Sequence, residues 1–220
     1  MCEVKMNKTV VPAVIAKSQE ELENILKKIS GSAKLIQLDI MDGNFVPNHS
    51  LDFDFRLPAE KYEYEAHLMV NDPDEWILTF GKDVDTIIVH FESPGTSLNT
   101  IRSIKKIGKR ACLAINPETE IASTADYLEA LDQVLIMTVN PGFYGSPFLP
   151  EVMQKIKVLR EMKPGLDIEV DGGITPDTIE MVCEAGANLF VSGSYLVKSD
   201  DMKNRINILY KKIEGVENRH

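Results

Sequence analysis

Four residues with reactive side chains lie at the ends of short apolar runs along this sequence or within two residues of such an end. They are Asp39, His67, His90 and Asp171. Proteins use carboxylates and imidazoles for proton transfer and for binding divalent metals. A single aspartate in such a place is more often a helix cap or a loop acid. Two carboxylates and two imidazoles at the ends of neighbouring strands would instead favour a catalytic centre.

Glycine-rich turns follow three of the apolar runs. They are Asn140–Gly145, Asp171–Gly173 and Ser192–Ser194. Residues without a Cβ let backbone N–H groups approach and surround a phosphate, especially where a helix begins. Each cluster alone could be a simple turn, whereas three neighbouring clusters favour a phosphate site.

The apolar runs themselves are short, rich in β-branched residues and bounded by turn residues. Strands of a parallel sheet have such continuous apolar sequences because both of their faces are covered. The runs predict strands at Val10–Ile15, Lys34–Asp39, Tyr64–Met69, Thr86–His90, Arg110–Ile115, Gln133–Met137, Asp167–Asp171 and Leu189–Val191.

Helical patterns lie between the predicted strands. Ser18 and Glu21 form a capping box that opens a helix over Ser18–Ile29. Only a stunted helix or a loop is expected over Leu51–Lys61. The remaining helices are predicted from Pro73 to before Gly81, from Pro176 to before Gly186, and at Leu98–Ile107, Glu120–Leu131, Pro147–Met162 and Asp200–Ile213.

Strands and helices therefore alternate along the whole chain, which predicts the α/β class and a (β/α)₈ TIM barrel. An open, doubly wound sheet is the alternative. We expect one compact domain over residues 1–220, with its core at about 10–213 and a frayed tail over Gly215–His220. In a barrel, the reactive residues at the carboxyl ends of the strands would share one rim.

Composition excludes several classes of function. The chain has 24 Lys and Arg against 34 Asp and Glu, a net charge of −10, which argues against nucleic acid as a partner.

The cysteines Cys2, Cys112 and Cys183 are too far apart for a zinc ribbon or a disulfide framework. Without a secretory or membrane segment, we expect a cytoplasmic protein that does not contact membranes. The oligomeric state stays open, a homo-oligomer included.

Five segments together resemble one known family, the ribulose-phosphate 3-epimerases. They are Leu38–Asn48, His67–Val70, Leu135–Gly145, Leu166–Gly173 and Gly186–Ser194, in the order of the family and within a match from Val10 to Val197. Members are (β/α)₈ barrels of the pentose phosphate pathway that interconvert D-ribulose 5-phosphate and D-xylulose 5-phosphate at C3. The resemblance therefore implies an isomerase whose partner is a phosphorylated ketose.

The resemblance also implies roles for individual residues. Asp39 and Asp171 would be the catalytic acid and base on opposite faces of C3, and both would bind a divalent metal, zinc or similar, together with His67. His90 matches no catalytic position and is expected to be a hydrogen-bonded histidine at the end of a strand. Substrate contacts are implied for His67, Met41, Met69, Met137, Gly142, Phe143, Tyr144, Gly145, Gly172, Gly173, Gly193 and Ser194.

The chain departs from the family pattern at several of these places. Gln37 replaces a ligand histidine of the family, so the metal is expected to bind weakly, with Gln37 a poor ligand at best. Ala13 replaces a serine that meets the substrate, and Tyr144 and Ser146 alter the phosphate loop. Two other functions therefore remain open: an epimerase of another phosphorylated ketose, such as a hexulose phosphate, and a phosphosugar-binding barrel without catalysis.

Overall fold

A computed structural model describes residues 6–58, 62–142 and 145–219 of the chain. Its centre is a closed barrel of eight parallel strands, in which each strand pairs with the next along the chain and the last pairs with the first. A short strand, β3, adds antiparallel to the end of β2. The strands are β1 (Thr9–Val14), β2 (Leu35–Asp42), β3 (His49–Ser50), β4 (Glu63–Met69), β5 (Thr86–His90), β6 (Arg110–Ile115), β7 (Gln133–Met137), β8 (Asp167–Asp171) and β9 (Leu189–Ser192).

Closure between β1 and β2 decides between the two architectures that the sequence left open. Ala13 and Val14 of β1 pair with Gln37 and Leu38 of β2, and the other edge of β1 pairs with β9. An open sheet has two edge strands that pair on one side only, whereas each of the eight barrel strands here pairs on both sides, so the prediction of a (β/α)₈ barrel is confirmed. Strand β2 runs three residues past its predicted end at Asp39, because Met41 and Asp42 pair with β3.

Helices cover the outside of the barrel. They are α1 (Gln19–Ile29), α2 (Pro73–Phe80), α3 (Leu98–Lys106), α4 (Met153–Met162), α5 (Ile179–Ala185), α6 (Ser194–Val197) and α7 (Met202–Glu217). The Ser18 hydroxyl accepts from the Glu21 N–H at 3.2 Å, as the capping box predicts, while the Glu21 carboxylate accepts from the N–H of Lys17. None of the helices in the described residues is long and apolar enough to cross a membrane.

Several predicted helix bounds are wrong. Glu120–Leu131 forms only a 3₁₀ helix at Ile121–Thr124 followed by turns. The helices expected from Pro147 and Pro176 begin later, at Met153 and Ile179, the first after a 3₁₀ turn at Pro150–Val152. Leu51–Pro58 contains no helix, and 59–61 lie outside the described residues.

The end of the chain also differs from its prediction. The tail expected from Gly215 is helical to Glu217, within α7. Arg219 pairs with Glu180 at 2.9 Å and with Glu184 at 2.8 Å, which ties this end to α5.

Two kinds of core hold the strands in place. The larger is apolar and lies between the outer face of the barrel and the helices. Inside the barrel the apolar clusters are small, and a layer of buried polar side chains lies between the strands: Gln37, Glu65, Gln133 and Glu169. Residues two positions further along β2, β4 and β8 form the next layer, because side chains on one face of a strand recur every second residue. That next layer contains Asp39, His67 and Asp171.

Candidate active site

One cavity at the carboxyl end of the barrel collects the residues that the sequence singled out. Every described member of the predicted substrate and acid–base set lines it: Asp39, Met41, His67, Met69, Met137, Gly142, Gly145, Asp171, Gly172, Gly173, Gly193 and Ser194. Phe143 and Tyr144 lie outside the described residues. Gln37 lies beneath the cavity, one layer deeper in the barrel.

The register of the strands brings Asp39, His67 and Asp171 together. Asp39 on β2 lies directly opposite His67 on β4, while Asp171 ends β8, with β1 and β9 between it and β2. His67 Nδ1 is 3.3 Å from Asp39 Oδ1 and 3.4 Å from Asp171 Oδ2. His67 is fully buried, whereas the Asp171 side chain keeps 16% of its surface exposed. The two carboxylates thus flank one imidazole at the floor of the cavity.

Gln37 lies between the same three side chains. Its Nε2 donates to Asp39 Oδ1 and to Asp171 Oδ2, both at 2.8 Å, and is 3.3 Å from His67 Nδ1. Its Oε1 is buried and has no hydrogen-bond partner among the described residues. The amide nitrogen therefore bridges the two carboxylates, where the family pattern has an imidazole.

These residues fit a divalent cation. One ligand atom from each of Asp39, His67 and Asp171 lies within 4.8 Å of the others. Two carboxylate oxygens and one imidazole nitrogen are a donor set that divalent metals accept, with positions left for substrate oxygens. The unpartnered Gln37 Oε1 could join the set if the amide turned end for end, whereas Nε2 as it stands cannot bind a metal.

Burial and close contact shift the pKa values of this group. Burial raises the pKa of Asp39, against hydrogen bonds from His67 and Gln37, and nearby Asp171 raises it further. Burial alone would lower the pKa of His67, but the hydrogen bonds to Asp171 and Asp39 outweigh it and raise the pKa to about 9. Without a metal, burial therefore favours the protonated form of Asp39, and the neighbouring carboxylates favour the protonated form of His67.

On the side of His67 away from the cavity, His90 and Glu92 form a further series of polar contacts. His67 Nε2 is 2.8 Å from His90 Nε2, and His90 Nδ1 is 3.4 Å from Glu92 Oε2. Burial lowers the pKa of His90 to about 4. Burial would raise the pKa of Glu92, but its hydrogen bonds with His90, Thr119 and the Asn116 N–H hold it below its usual value. His90 is thus a hydrogen-bonded histidine at the end of β5, as expected, but the sequence did not show that one of its partners is His67.

The glycine turns form the upper wall of the cavity. Gly142 has φ +106°, and a Cβ there would lie 2.8 Å from the Val46 Cβ, so only glycine fits. The Thr138 hydroxyl donates to the Gly172 carbonyl at 2.6 Å and fixes the turn that follows Asp171. Asn48 donates to the Gly142 carbonyl at 3.2 Å. The loop after β2 therefore holds the loop after β7 in place.

Apolar side chains line the remaining walls. Met41, Met69 and Met137 face the same cavity, as the resemblance implied. The sequence interpretation did not single out four further lining residues, Ile15, Val139, Ile174 and Val191. Ala13 and Ser146, two of the departures from the family pattern, also line the cavity. Those departures therefore lie where they can change what the cavity accepts.

Solved structures with the same fold support the architecture alone. A 3-keto-L-gulonate-6-phosphate decarboxylase from Vibrio cholerae superposes with a TM-score of 0.70 at 11% identity, covering 96% of this chain and 99% of that one. A 3-hexulose-6-phosphate synthase from Salmonella typhimurium gives 0.67 at 16% identity, covering 94% and 99%.

Sequence relatives are much more similar. A ribulose-phosphate 3-epimerase of Bacillus subtilis is 38% identical over 208 residues, covering 90% of this chain and 96% of the relative. One of Synechocystis is 39% identical over 200 residues, covering 86% of each chain, and the cytoplasmic isoform of Oryza sativa is 36% identical over 195 residues, covering 85% and 86%. The model of the ribulose-phosphate 3-epimerase family matches residues 5–197. With this match and the geometry of the cavity, the chain belongs to the ribulose-phosphate 3-epimerase family.

Proposed function

We propose that this protein is a ribulose-phosphate 3-epimerase, an isomerase that interconverts D-ribulose 5-phosphate and D-xylulose 5-phosphate. The observation that carries the proposal is the convergence of Asp39 and Asp171 on one cavity, with His67 between them. The two carboxylates come from strands separated by β1 and β9, so they approach the cavity from different sides. That placement suits proton transfer at two faces of one carbon.

Epimerisation needs two proton transfers at C3. One aspartate, as carboxylate, takes the C3 proton, the C–H electrons form a C2–C3 double bond, and the C2 carbonyl oxygen becomes the oxyanion of an enediolate. The other aspartate, as carboxylic acid, then gives a proton to C3 from the opposite face, and the carbonyl forms again. Asp39 and Asp171 thus act as one acid and one base, and burial raises the pKa of Asp39, which favours its protonated form in the metal-free site. In the reverse direction the roles exchange.

We propose that Asp39, His67 and Asp171 hold a divalent metal, zinc or similar, and that they hold it weakly. A cation at this place would stabilise the negative charge that develops on the substrate oxygens. Binding is weak because Gln37 offers no imidazole and its amide N–H groups already bridge the two carboxylates. Gln37 thus keeps the aspartates together when the metal is absent.

The upper wall is the proposed place of the substrate phosphate. Gly142, Gly172 and Gly193 begin three adjacent turns around the cavity, and Ser194 begins helix α6 beside them. Backbone N–H groups in such turns bind phosphate oxygens without a basic side chain. Met41, Met69 and Met137 would shelter the enediolate from water. We further propose a cytoplasmic protein with one domain and no nucleic-acid or membrane partner.

Turnover with defined sugars tests this function. The purified protein, with zinc supplied, should convert D-ribulose 5-phosphate to D-xylulose 5-phosphate and leave unphosphorylated D-ribulose unchanged. Faster epimerisation of a hexulose 6-phosphate would make that sugar the substrate. The cavity residues Ala13 and Ser146 would then be the first candidates for the cause of the changed preference. Binding of both phosphates without turnover of either would leave a phosphosugar-binding barrel.

A further inference from the structure

A line of three side chains runs from the floor of the cavity into the wall of the barrel. His67 and His90, on adjacent strands β4 and β5, are both fully buried, and their rings lie 5.0 Å apart at 20°. Their Nε2 atoms face each other at 2.8 Å, and His90 Nδ1 faces Glu92 Oε2 at 3.4 Å. None of the roles given above to His67 requires His90 or Glu92.

Hydrogen-bond chemistry fixes where the protons of this line must be. Two ring nitrogens 2.8 Å apart need one proton between them, because two lone pairs would repel. An ionised carboxylate only accepts, so the His90 nitrogen that faces Glu92 must carry a proton. A neutral imidazole has a single N–H, which leaves His90 Nε2 as the acceptor and His67 Nε2 as the donor.

The alternative places the proton of His90 on Nε2 instead of Nδ1. If His90 carried its proton on Nε2, it would donate to His67, and its unprotonated Nδ1 would face the Glu92 carboxylate. His67 would then carry its proton on Nδ1, directed at Asp39 and Asp171, and could not bind a metal there. The position of Glu92 disfavours this arrangement.

We propose that Glu92 and His90 are positioning residues that hold the proton of neutral His67 on Nε2 and thereby keep its Nδ1 lone pair directed at the site. Carboxylates and carbonyls that accept from a ligand histidine orient it in this way in other metal sites. Here the carboxylate acts through a second imidazole. The proposal rests on the proposed function, since it concerns the histidine of the same site.

Glu92 is itself held on both sides. Its Oε1 accepts from the Asn116 N–H at 2.8 Å and from the Thr119 hydroxyl, both in the loop after β6. The Phe45 ring, from the loop after β2, lies 4.8 Å from the His90 ring on another side. Because these contacts fix both partners, the orientation of His67 is set before a ligand enters.

Nitrogen NMR of the full chain, labelled with ¹⁵N-histidine, tests the proton positions directly. The chain has four histidines, so each can be assigned by substitution. In the wild type, His90 should be protonated on Nδ1 and not on Nε2. In the zinc-loaded protein, His67 should be protonated on Nε2 alone. A proton on Nε2 of His90 in the wild type would overturn the proposal without any variant being needed.

Zinc affinity, measured by competition with a chromophoric chelator, gives a second readout. His90→Phe keeps a ring but removes the acceptor, and should lower zinc affinity by about 10- to 100-fold, the usual effect of losing such a partner. His90→Gln supplies an amide oxygen that can accept from His67 and should restore most of that loss. His49→Gln, at an exposed histidine, is the matched control and should bind zinc like the wild type.

Equal zinc affinity in His90→Phe, His90→Gln and the wild type would overturn the proposal. Neither readout depends on turnover. Failure to epimerise ribulose 5-phosphate, with the proton positions as expected, would remove the proposed function and leave the positioning role intact. Normal turnover with His90 protonated on Nε2 would remove the positioning role and leave the proposed function intact.

Discussion

Replacing Gln37 by histidine should tighten metal binding by about two orders of magnitude. In the wild type, a metal can enter only after the amide gives up two hydrogen bonds to charged carboxylates, each 2.8 Å long. Hydrogen bonds to charged groups contribute about 1.5–3 kcal/mol each, so the two oppose metal binding by at least about 3 kcal/mol. Since about 1.4 kcal/mol corresponds to a factor of ten, removing them predicts a gain of roughly 100-fold. The new imidazole supplies a ligand as well.

The assay is competition for zinc against a chelator of known affinity, with thermal unfolding as a check of the fold. Gln37→Met removes the bridge without adding a ligand, and should bind zinc with an affinity between those of the wild type and Gln37→His. Gln133→Met is the matched control, because Gln133 is another buried amide whose Nε2 lies between two carboxylates, 2.6 Å from Glu169 and 3.5 Å from Glu65. It should leave zinc affinity unchanged. Zinc affinity of Gln37→His no higher than that of the wild type would refute the argument.

Three further predictions concern the aspartates, the phosphate and the pH. Asp39→Asn and Asp171→Asn should each lower kcat for ribulose 5-phosphate by about 10²–10⁴-fold, the usual loss on removing a general acid or base, and near-normal turnover in either would remove that residue from the mechanism. Ser194→Asp places a negative charge beside the turn at Gly193 and should raise KM by at least about tenfold by repelling the phosphate. Ser194→Ala is the control and should change KM little. Equal KM values for the two variants would place the phosphate elsewhere. His67, whose pKa rises from 6.5 to about 9 on folding, adds stability that is present below pH 6.5 and lost as the pH rises through 9. Chemical unfolding in chelator should therefore show wild-type stability falling over this range, with a flatter profile for His67→Gln; parallel profiles would contradict the shift.

Much of the barrel can be predicted from the sequence because buried parallel strands are short apolar runs. The predicted bounds of four strands, Thr86–His90, Arg110–Ile115, Gln133–Met137 and Asp167–Asp171, are those of the structure. Two of these runs end in a polar residue, His90 or Asp171, and a polar residue, Asn116 or Thr138, follows the other two. Since the carboxyl ends of parallel strands meet at one rim, the same runs also brought Asp39, His67 and Asp171 together.

The segment Glu120–Leu131 shows why periodicity alone did not predict every helix. Ile121, Leu128 and Leu131 are buried, so the apolar spacing correctly indicated which side faces the core. The backbone is nevertheless a 3₁₀ turn and a series of turns, in which the Thr124 hydroxyl donates to the Ile121 carbonyl. Apolar spacing reports which side chains are covered, and says little about how the backbone N–H groups are paired.

The contacts of Gln37 and His90 could not be predicted because they depend on register and side-chain direction. His90 and His67 are 23 residues apart, and only the alignment of β4 with β5 places their Nε2 atoms together. Likewise, the sequence shows that Gln37 replaces an imidazole, but not that its Nε2 would bridge both aspartates. The residue types at the rim were informative, whereas the hydrogen bonds among them required the structure.

Exchange of the C3 hydrogen with solvent is the most direct test of the central claim, that Asp39 and Asp171 transfer protons at one carbon from two sides. With D-ribulose 5-phosphate in D₂O, proton NMR should show deuterium at C3 in both substrate and product for the zinc-supplied wild type. Each single variant, Asp39→Asn or Asp171→Asn, should lose epimerisation, and at least one should still exchange deuterium into the C3 position of the sugar it starts from. Epimerisation by the wild type with no deuterium at C3 in the product would contradict the account.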